Sequence, residues 1–236
     1  MGRVFEKRKY TMFARFDRMA KAFTRIGKEI AIAVKANGPL PENNPRLRTL
    51  IQNAKGVNMP KDRIEAAIKR ASSKEDKDYE EIVYEGYGPY GVALVIETAT
   101  DNINRTVANI RTIFSRGDGT LGKTGSLDFI FTRKGVFKFL KGEFDIDELE
   151  LELIDFGADD VAVSSDGEVY VYTAFQDFGK MQKALEDKGI NIISAELQRI
   201  PNSFAEVTPE QEEEILKLIE KFEEDDDIQV VYHNMK

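Results

Sequence analysis

The segment Asn44–Ala71 constrains the fold most, because the residues that begin and end helices in it predict two short helices joined by a tight turn. Asn44 is a good amino-terminal cap and Pro45 suits a first helical position. The first helix should end at Gly56, which tolerates the left-handed conformation after a helix, and Pro60 opens the second helix. Apolar residues recur at i, i+3, i+4 and i+7 in both helices: Leu47, Leu50, Ile51 and Ala54, then Ile64, Ala67, Ile68 and Ala71. This pattern predicts a helical hairpin with one apolar edge on each helix.

A longer helix is predicted before the hairpin, from about Lys7 to Ala36. Its apolar residues step by three and four and form one stripe: Met12, Phe16, Met19, Phe23, Ile26, Ile30 and Val34. The Gly and Pro residues of the segment 37–41 end this helix, and the polar segment 72–78 marks a boundary. The three helices are therefore predicted to form a domain over residues 1–77.

The charge of the chain is divided unevenly between this domain and the rest. The net charge is −8, yet residues 1–77 contain 19 Lys and Arg against 8 Asp and Glu, a net +11, whereas residues 78–236 contain 15 against 34, a net −19. A basic face on a single helix is commonly plain solvated surface. The asymmetry favours instead a basic module that binds a polyanion. The predicted nucleic-acid-binding residues are Arg18, Lys21, Arg25, Lys28, Arg46, Arg48, Lys55, Lys61, Arg63, Lys69 and Arg70.

Strands and helices alternate after residue 78. The order β-β-α-β runs to a strand over Leu127–Phe131, and it is followed by β-α-β-β-α-β, the ferredoxin-like arrangement. A final helix (Pro209–Phe222) and strand (Ile228–Tyr232) should return to complete the first unit. The predicted fold class is thus α+β with three domains. They are the basic helical domain at 1–77, a discontinuous α/β sandwich at 78–134 plus 202–236, and an inserted ferredoxin-like acidic domain at 135–201.

The residue types that are missing exclude several classes of site. The chain has no Cys and a single His, His233, so thiolate zinc sites and imidazole-based hydrolases lack their ligands or bases. The acidic runs near 145–152 and 223–227 do not have calcium-loop spacing, and we expect solvated charge there. No cofactor or metal ion is predicted. Since no apolar run would span a bilayer and no signal peptide is evident, we expect a cytoplasmic protein without a membrane partner.

The segment Gly117–Thr124, GDGTLGKT, fits the phosphate-loop pattern G-x-x-x-x-G-K-[ST]. That loop must leave a strand and open a helix, so that the backbone amides and the helix dipole converge on the phosphates. Here the predicted order is reversed, because the loop follows a helix and enters a strand. We therefore expect an ordinary connecting loop with two cations, Arg116 and Lys123, and no nucleotide hydrolysis.

A second polar segment, Thr100–Thr106, has two interpretations. Thr100 or Asp101 would cap a helix whose inner edge is apolar, which makes an ordinary capped helix. Alternatively, its polar side chains form a platform for phosphate or a protein partner. The predicted second contact set comprises Asn102, Arg105, Arg116 and Lys123.

Five motifs in order resemble the YebC family over essentially the whole chain. They are NPRLR (Asn44–Arg48), NMPKDRIEAAIKRA (Asn58–Ala71), YEGYGPYG (Tyr84–Gly91), TDNINRTVANIR (Thr100–Arg111) and LGKTGSLDFIF (Leu121–Phe131). The resemblance implies one helical and two α/β domains in a cytoplasmic protein that is not an enzyme. The amino terminus departs from the family's usual GHSKWANIKHRK, so contacts of that tail are not carried over.

The resemblance implies a nucleic-acid-binding regulator of gene expression, and DNA-binding transcriptional regulation is the first hypothesis. The alternative is a translation factor that binds ribosomal RNA on the ribosome and relieves stalling. In both hypotheses Lys and Arg neutralise phosphates, so affinity should fall steeply with salt. Preference for structured RNA over duplex DNA separates the two. A third hypothesis, an enzyme, would require nucleotide turnover that depends on Lys123.

Overall fold

The chain folds into two compact units, Met1–Glu80 and Glu81–Lys236. The structure is a computed structural model that describes residues 3–73 and 78–236, with side chains described from residue 19 onward. The predicted boundary at 72–78 includes residues 74–77, which lie outside the described residues. The predicted α+β class is confirmed, with helices in the first unit and two antiparallel sheets in the second.

The first unit consists of α1 (Arg3–Asn37), α2 (Pro45–Gly56) and α3 (Lys61–Ala71). The described parts of the apolar stripes predicted for these helices meet in one core, whereas the side chains of Met12 and Phe16 lie outside the described residues. Its buried residues are Ile30, Ala31, Ala33, Val34, Leu47, Leu50, Ala54, Met59, Ile64, Ala67 and Ala71. Five of these eleven residues are Ala, so small side chains make up much of this core.

A fully buried asparagine, Asn44, joins the end of α1 to the start of α2. Its Oδ1 accepts the Leu47 amide at 3.1 Å, which is the cap expected from the sequence. Its Nδ2 donates to the carbonyls of Ala33 (2.7 Å) and Gly38 (2.9 Å). Gly38 has a φ of +86° and donates its amide to Val34 O at 2.7 Å, which ends α1. One side chain thus satisfies backbone groups at two helix ends.

The helix α2 ends at Gly56 as predicted, but the left-handed residue lies two positions later. Asn58 has a φ of +59°, and its amide donates to Lys55 O at 2.9 Å. The Met59 amide donates to Ala54 O at 2.8 Å, which completes a Schellman motif, and the Met59 side chain is buried. The prediction that Gly56 provides the left-handed residue was wrong, because Asn also tolerates this conformation and Asn58 stands at the required position.

The second unit contains eight strands and four helices. In chain order they are β1 (Glu80–Tyr87), β2 (Ala93–Thr100), α4 (Ile103–Arg116), β3 (Thr120–Leu121), β4 (Phe131–Leu140), α5 (Ile146–Ile154), β5 (Ala158–Val163), β6 (Glu168–Ala174), α6 (Phe178–Asp187), β7 (Ile192–Pro201), α7 (Pro209–Glu223) and β8 (Ile228–His233). Short 3-10 turns occur at Pro89–Gly91 and Phe175–Asp177.

The first sheet has the strand order β3-β1-β2-β8. The helices α4 and α7 cover one face, where the rings of Phe114 and Phe222 meet edge to face with centroids 4.9 Å apart. On the other face, Leu127 and Ile130 pack against alternate residues of β2. The late elements α7 and β8 therefore complete the sheet that β1 and β2 begin, which makes this part of the fold discontinuous.

The second sheet has the order β5-β6-β4-β7, and every neighbouring pair is antiparallel. Its core includes side chains from both α5 and α6, as the ferredoxin-like prediction requires. Phe131 is paired with Pro201, so the chain enters and leaves this sheet side by side. Arg199 on β7 also pairs with Glu97 on β2, with Nε and Oε1 2.8 Å apart. We keep 78–134 plus 202–236, and 135–201, as proposed domain limits.

The strand predicted over Leu127–Phe131 was wrong, because residues 124–130 form turns. The amides of Ile130 and Phe131 both donate to Leu127 O, at 2.8 and 3.2 Å. Leu127, Ile130 and Phe131 are buried, whereas Asp128 and Phe129 are exposed. This burial has the helical period of three to four, not the strand period of two. A strand does begin at Phe131, where the segment was predicted to end.

Candidate nucleic-acid interface

The basic residues of the first unit whose side chains are described are mostly exposed. Residues 19–73 contain eleven Lys and Arg against four Asp and Glu. The exposed predicted contacts are Lys21, Arg46, Arg48, Lys55, Lys61, Arg63, Lys69 and Arg70, whereas Arg25 and Lys28 are partly buried. Arg18 belongs to α1, but its side chain lies outside the described residues. The described surface of this unit therefore carries a positive charge that its own carboxylates do not balance.

Three of these cations form a stripe along α1. Lys21, Arg25 and Lys28 follow one another at i, i+4 and i+7, so they lie on one face of the helix. The spacing places about one positive charge on each helical turn. Such a row suits a repeating polyanion better than a single carboxylate.

The cations of α3 lie on two flanks of the helix. Arg63 and Arg70 are seven residues apart, hence on one side, and both line a groove against α1. Lys61 and Lys69 lie on the other flank, where Lys61 Nζ is 3.5 Å from a carboxylate oxygen of Glu65. Since both members of that pair are highly exposed, water screens it and it adds little stability. The helix thus carries positive charge on both sides of its buried edge.

The groove between α1 and α3 has a volume of about 350 Å³. Three cations line it, Lys28, Arg63 and Arg70, together with two aromatic rings, Phe23 and Tyr79. Lys28 Nζ lies 5.3 Å from the Tyr79 ring centroid, and the Arg63 guanidinium lies 5.8 Å from that of Phe23. The groove combines positive charge with flat apolar surface.

Sequence reasoning missed this groove because it placed Phe23 in the apolar stripe of α1 and gave Tyr79 no role. The useful signal was the pair Arg63 and Arg70, seven residues apart beside the buried edge of α3. Those two residues were predicted as contacts, but a groove cannot be recognised until the partner helix is placed.

The structure places the first two residues of the predicted second contact set inside a bonded network. Asn102, not Thr100 or Asp101, caps α4, and its Oδ1 accepts the Arg105 amide at 3.0 Å. Arg105 donates through Nη2 to Asp227 (2.6 Å) and to Asp101 (2.7 Å). These two carboxylates raise the pKa of the Arg105 guanidinium, Asp227 contributing most. These bonds explain the segment as a structural motif, and its role as a contact stays a prediction.

Asp227 is the centre of that network and is 4% exposed. Besides Arg105, it accepts the hydroxyls of Thr106 at 2.9 Å and Thr100 at 3.1 Å. The expectation of solvated charge for the run 223–227 was therefore wrong at this position. A run of five acidic residues does not indicate which of them turns inward, because the donors lie more than 100 residues earlier in the chain.

The other two predicted second contacts, Arg116 and Lys123, are exposed at the two ends of the Gly117–Thr124 segment. The segment follows α4 and itself contains the short strand β3, whereas no strand begins at Leu127, where one was predicted. The order of helix before strand is still the reverse of a phosphate loop. Beyond it, the buried Glu85 carboxylate accepts the amides of Gly125 (2.9 Å) and Leu127 (2.7 Å). An internal carboxylate thus occupies amides that would otherwise suit an anion.

The described residues offer neither a metal-binding cluster nor a membrane-spanning helix. Over the described residues, no three His, Cys, Asp or Glu side chains converge in a way that would hold a metal ion. Within the same ranges, no helix has the length and apolar character needed to cross a bilayer.

Comparison with known proteins gives matches along the chain. Residues 3–74 match the family described as "TACO1/YebC protein N-terminal domain", and residues 79–235 match "TACO1/YebC second and third domain". A "Probable transcriptional regulatory protein" of Cytophaga hutchinsonii is 61% identical, with 100% of this chain and 98% of that protein covered. A protein of the same name from Parabacteroides distasonis is 56% identical, with 100% of this chain and 97% of that protein covered.

Among solved structures, the fold is similar to the crystal structure of a conserved hypothetical protein from Aquifex aeolicus. The TM-score is 0.81 at 36% sequence identity, with 92% of this chain and 90% of that chain covered. The similarity therefore extends over nearly the full length of both proteins.

Proposed function

The chain belongs to the TACO1/YebC family, and from this premise we propose that it is a nucleic-acid-binding regulator of gene expression, acting in transcription by binding DNA. The regulatory names of the similar proteins support this proposal. The contact surface is the set of cations on α1, α2 and α3. The protein acts by binding, without chemical turnover, in the cytoplasm.

The excess of exposed cations on the three-helix unit carries the proposal. Lys and Arg on short rigid helices neutralise phosphates and release counterions, which gives affinity that depends strongly on salt. The acidic second unit, by contrast, repels a polyanion. Together these charges direct a nucleic acid to the first unit. Such contacts position the protein without reading the sequence.

Charge reversal tests the surface directly. Reversal at Lys55, Lys61, Arg63, Lys69 and Arg70 together is expected to abolish binding to duplex DNA while the thermal unfolding transition persists. Retention of binding in this variant would refute the assignment of the surface. The residues are exposed, so their replacement leaves the core intact.

A smaller pair allows a matched control. The double variant Lys55→Glu/Lys69→Glu should lower both the affinity and the slope of log K against log salt, by about 0.9 for each phosphate that is no longer neutralised. The control Lys141→Glu/Lys183→Glu changes the net charge equally at exposed positions of the second unit. It should bind like the wild type. Equal reductions of affinity in both variants would show that net charge, not this surface, governs binding.

Crosslinking in growing cells, followed by sequencing of the bound nucleic acid, identifies the target. Enrichment of chromosomal sites near promoters is expected for a transcriptional regulator. Enrichment of ribosomal or transfer RNA would refute the DNA assignment and would make the same surface part of a translation factor.

A further inference from the structure

The groove between α1 and α3 has a composition that simple phosphate binding does not require. Phosphates are neutralised by exposed Lys and Arg, which α2 and the outer flank of α3 already provide. The groove adds Phe23 and Tyr79 to its three cations, and none of the described residues that line it is acidic. Aromatic surface beside phosphate-binding cations is typical of sites that hold unpaired bases.

We propose that this groove binds one unpaired nucleotide of a nucleic acid, with the base against the aromatic rings and the flanking phosphates on Arg63 and Arg70. The inference rests on the proposed function, because it specifies what part of the nucleic acid the same unit recognises. Unpaired bases stack on aromatic rings and on guanidinium planes, and the groove offers both where Arg63 lies over Phe23. Its volume of about 350 Å³ lies at the lower end of the range for small-ligand sites.

Charge and shape together favour this occupant over an acidic peptide. A carboxylate would pair with the cations, but it has no flat surface to place against the rings of Phe23 and Tyr79. A base within a duplex is also unsuitable, because its two faces are already covered by its neighbours. A bulged, looped or flipped-out base has a free face and adjacent phosphates, so it complements both features of the groove.

Gly27 provides a way to close the groove without changing its charge. It lines the groove on α1, and a Cβ added there would meet no atom within 4 Å. Gly27→Leu therefore places a side chain in open space and should also favour the helix, since Gly is a poor helix former. Ala36→Leu is the matched control, an added Leu at an exposed position of the same helix outside the groove.

The experiment measures the binding of the full chain to a paired duplex and to the same duplex with one unpaired nucleotide, in DNA and in RNA. The wild type is expected to prefer the unpaired form by about tenfold, the scale of one stacked base. Gly27→Leu should remove that preference and keep the affinity for the paired duplex. Ala36→Leu should keep the preference and the affinity of the wild type. Lys55→Glu should weaken binding to the paired duplex and to the duplex with the unpaired nucleotide equally. Whether the preference is greater in DNA or in RNA identifies the nucleic acid from which the nucleotide comes.

Three results would overturn the inference. Equal binding of both duplexes by the wild type would refute the groove site and leave the proposed function standing. A preference that survives in the folded Gly27→Leu protein would place the recognition elsewhere. Binding of a poly-glutamate peptide that Gly27→Leu abolishes would make the groove a protein-binding site. Failure of the wild type to bind any of these nucleic acids would refute the proposed function itself.

Discussion

Replacement of Asn44 by Ala should destabilise the three-helix unit by about 3 kcal/mol. Removal of the cap on the Leu47 amide costs about 1 kcal/mol. The carbonyls of Ala33 and Gly38 each lose a donor at a site that is fully buried, and an unsatisfied buried group costs about 1–3 kcal/mol. The low end of that range is appropriate for both, because a carbonyl can accept a second bond. The sum is a large fraction of the stability of a small domain.

The exposed neighbour Asn43 provides the control, since Asn43→Ala removes the same side chain and should cost less than about 0.5 kcal/mol. The two units need not unfold together, so urea dependence of amide hydrogen exchange should be followed for peptides of α2. Because α2 carries Arg46, Arg48 and Lys55, weaker nucleic-acid binding should accompany the destabilisation. Equal stabilities of the two variants would refute the reasoning.

Three further predictions concern the second unit. Asp227→Ala removes the buried carboxylate and leaves its hydrogen-bond donors without an acceptor, so the free energy of unfolding should fall by about 2–3 kcal/mol. The loss is no larger because the half-exposed Arg105 regains some hydration. An unchanged midpoint of chemical unfolding would contradict this. Gly86→Ala would set a Cβ 2.5 Å from Thr120 O and should destabilise by about 2 kcal/mol, whereas Gly179→Ala in α6 meets open space and should stabilise. Burial lowers the pKa of His233 below its ordinary 6.5, so the unfolded chain binds the proton more readily and stability should fall as pH drops below about 6.5. His233→Leu should flatten that part of the unfolding profile.

Helix ends could be predicted where the signal is local. Asn44 caps α2 and Pro45 is its first residue, as expected, because capping involves residues within one turn. Thr208 likewise caps α7 through a reciprocal bond with Gln211, close to the predicted start. The order of strands in the second sheet is also the one that the predicted ferredoxin-like arrangement requires, since connection rules allow few alternatives.

Segments that depend on distant residues could not be predicted in the same way. The turn at 124–130 contains Phe, Ile and Leu close together, which favours a strand on local grounds. Its backbone instead binds Glu85, about 40 residues earlier, so tertiary hydrogen bonds override the local preference. Asn109 on α4 likewise has a distant partner, because it donates to Asp225 at 2.8 Å.

This difference explains why charge is a better guide to the candidate site than polarity. Polar residues such as Asn102 and Asn109 can be satisfied by one backbone group or carboxylate anywhere in the fold, so their presence says little about a ligand. Eleven cations among residues 19–73 cannot be satisfied by the four carboxylates of that segment. A polyanion would balance the excess by supplying many phosphates at a regular spacing, and the row Lys21, Arg25 and Lys28 presents its charges on one face of a helix. The groove at Gly27 then distinguishes attraction to any polyanion from recognition of an unpaired base, because only recognition requires open space beside the rings.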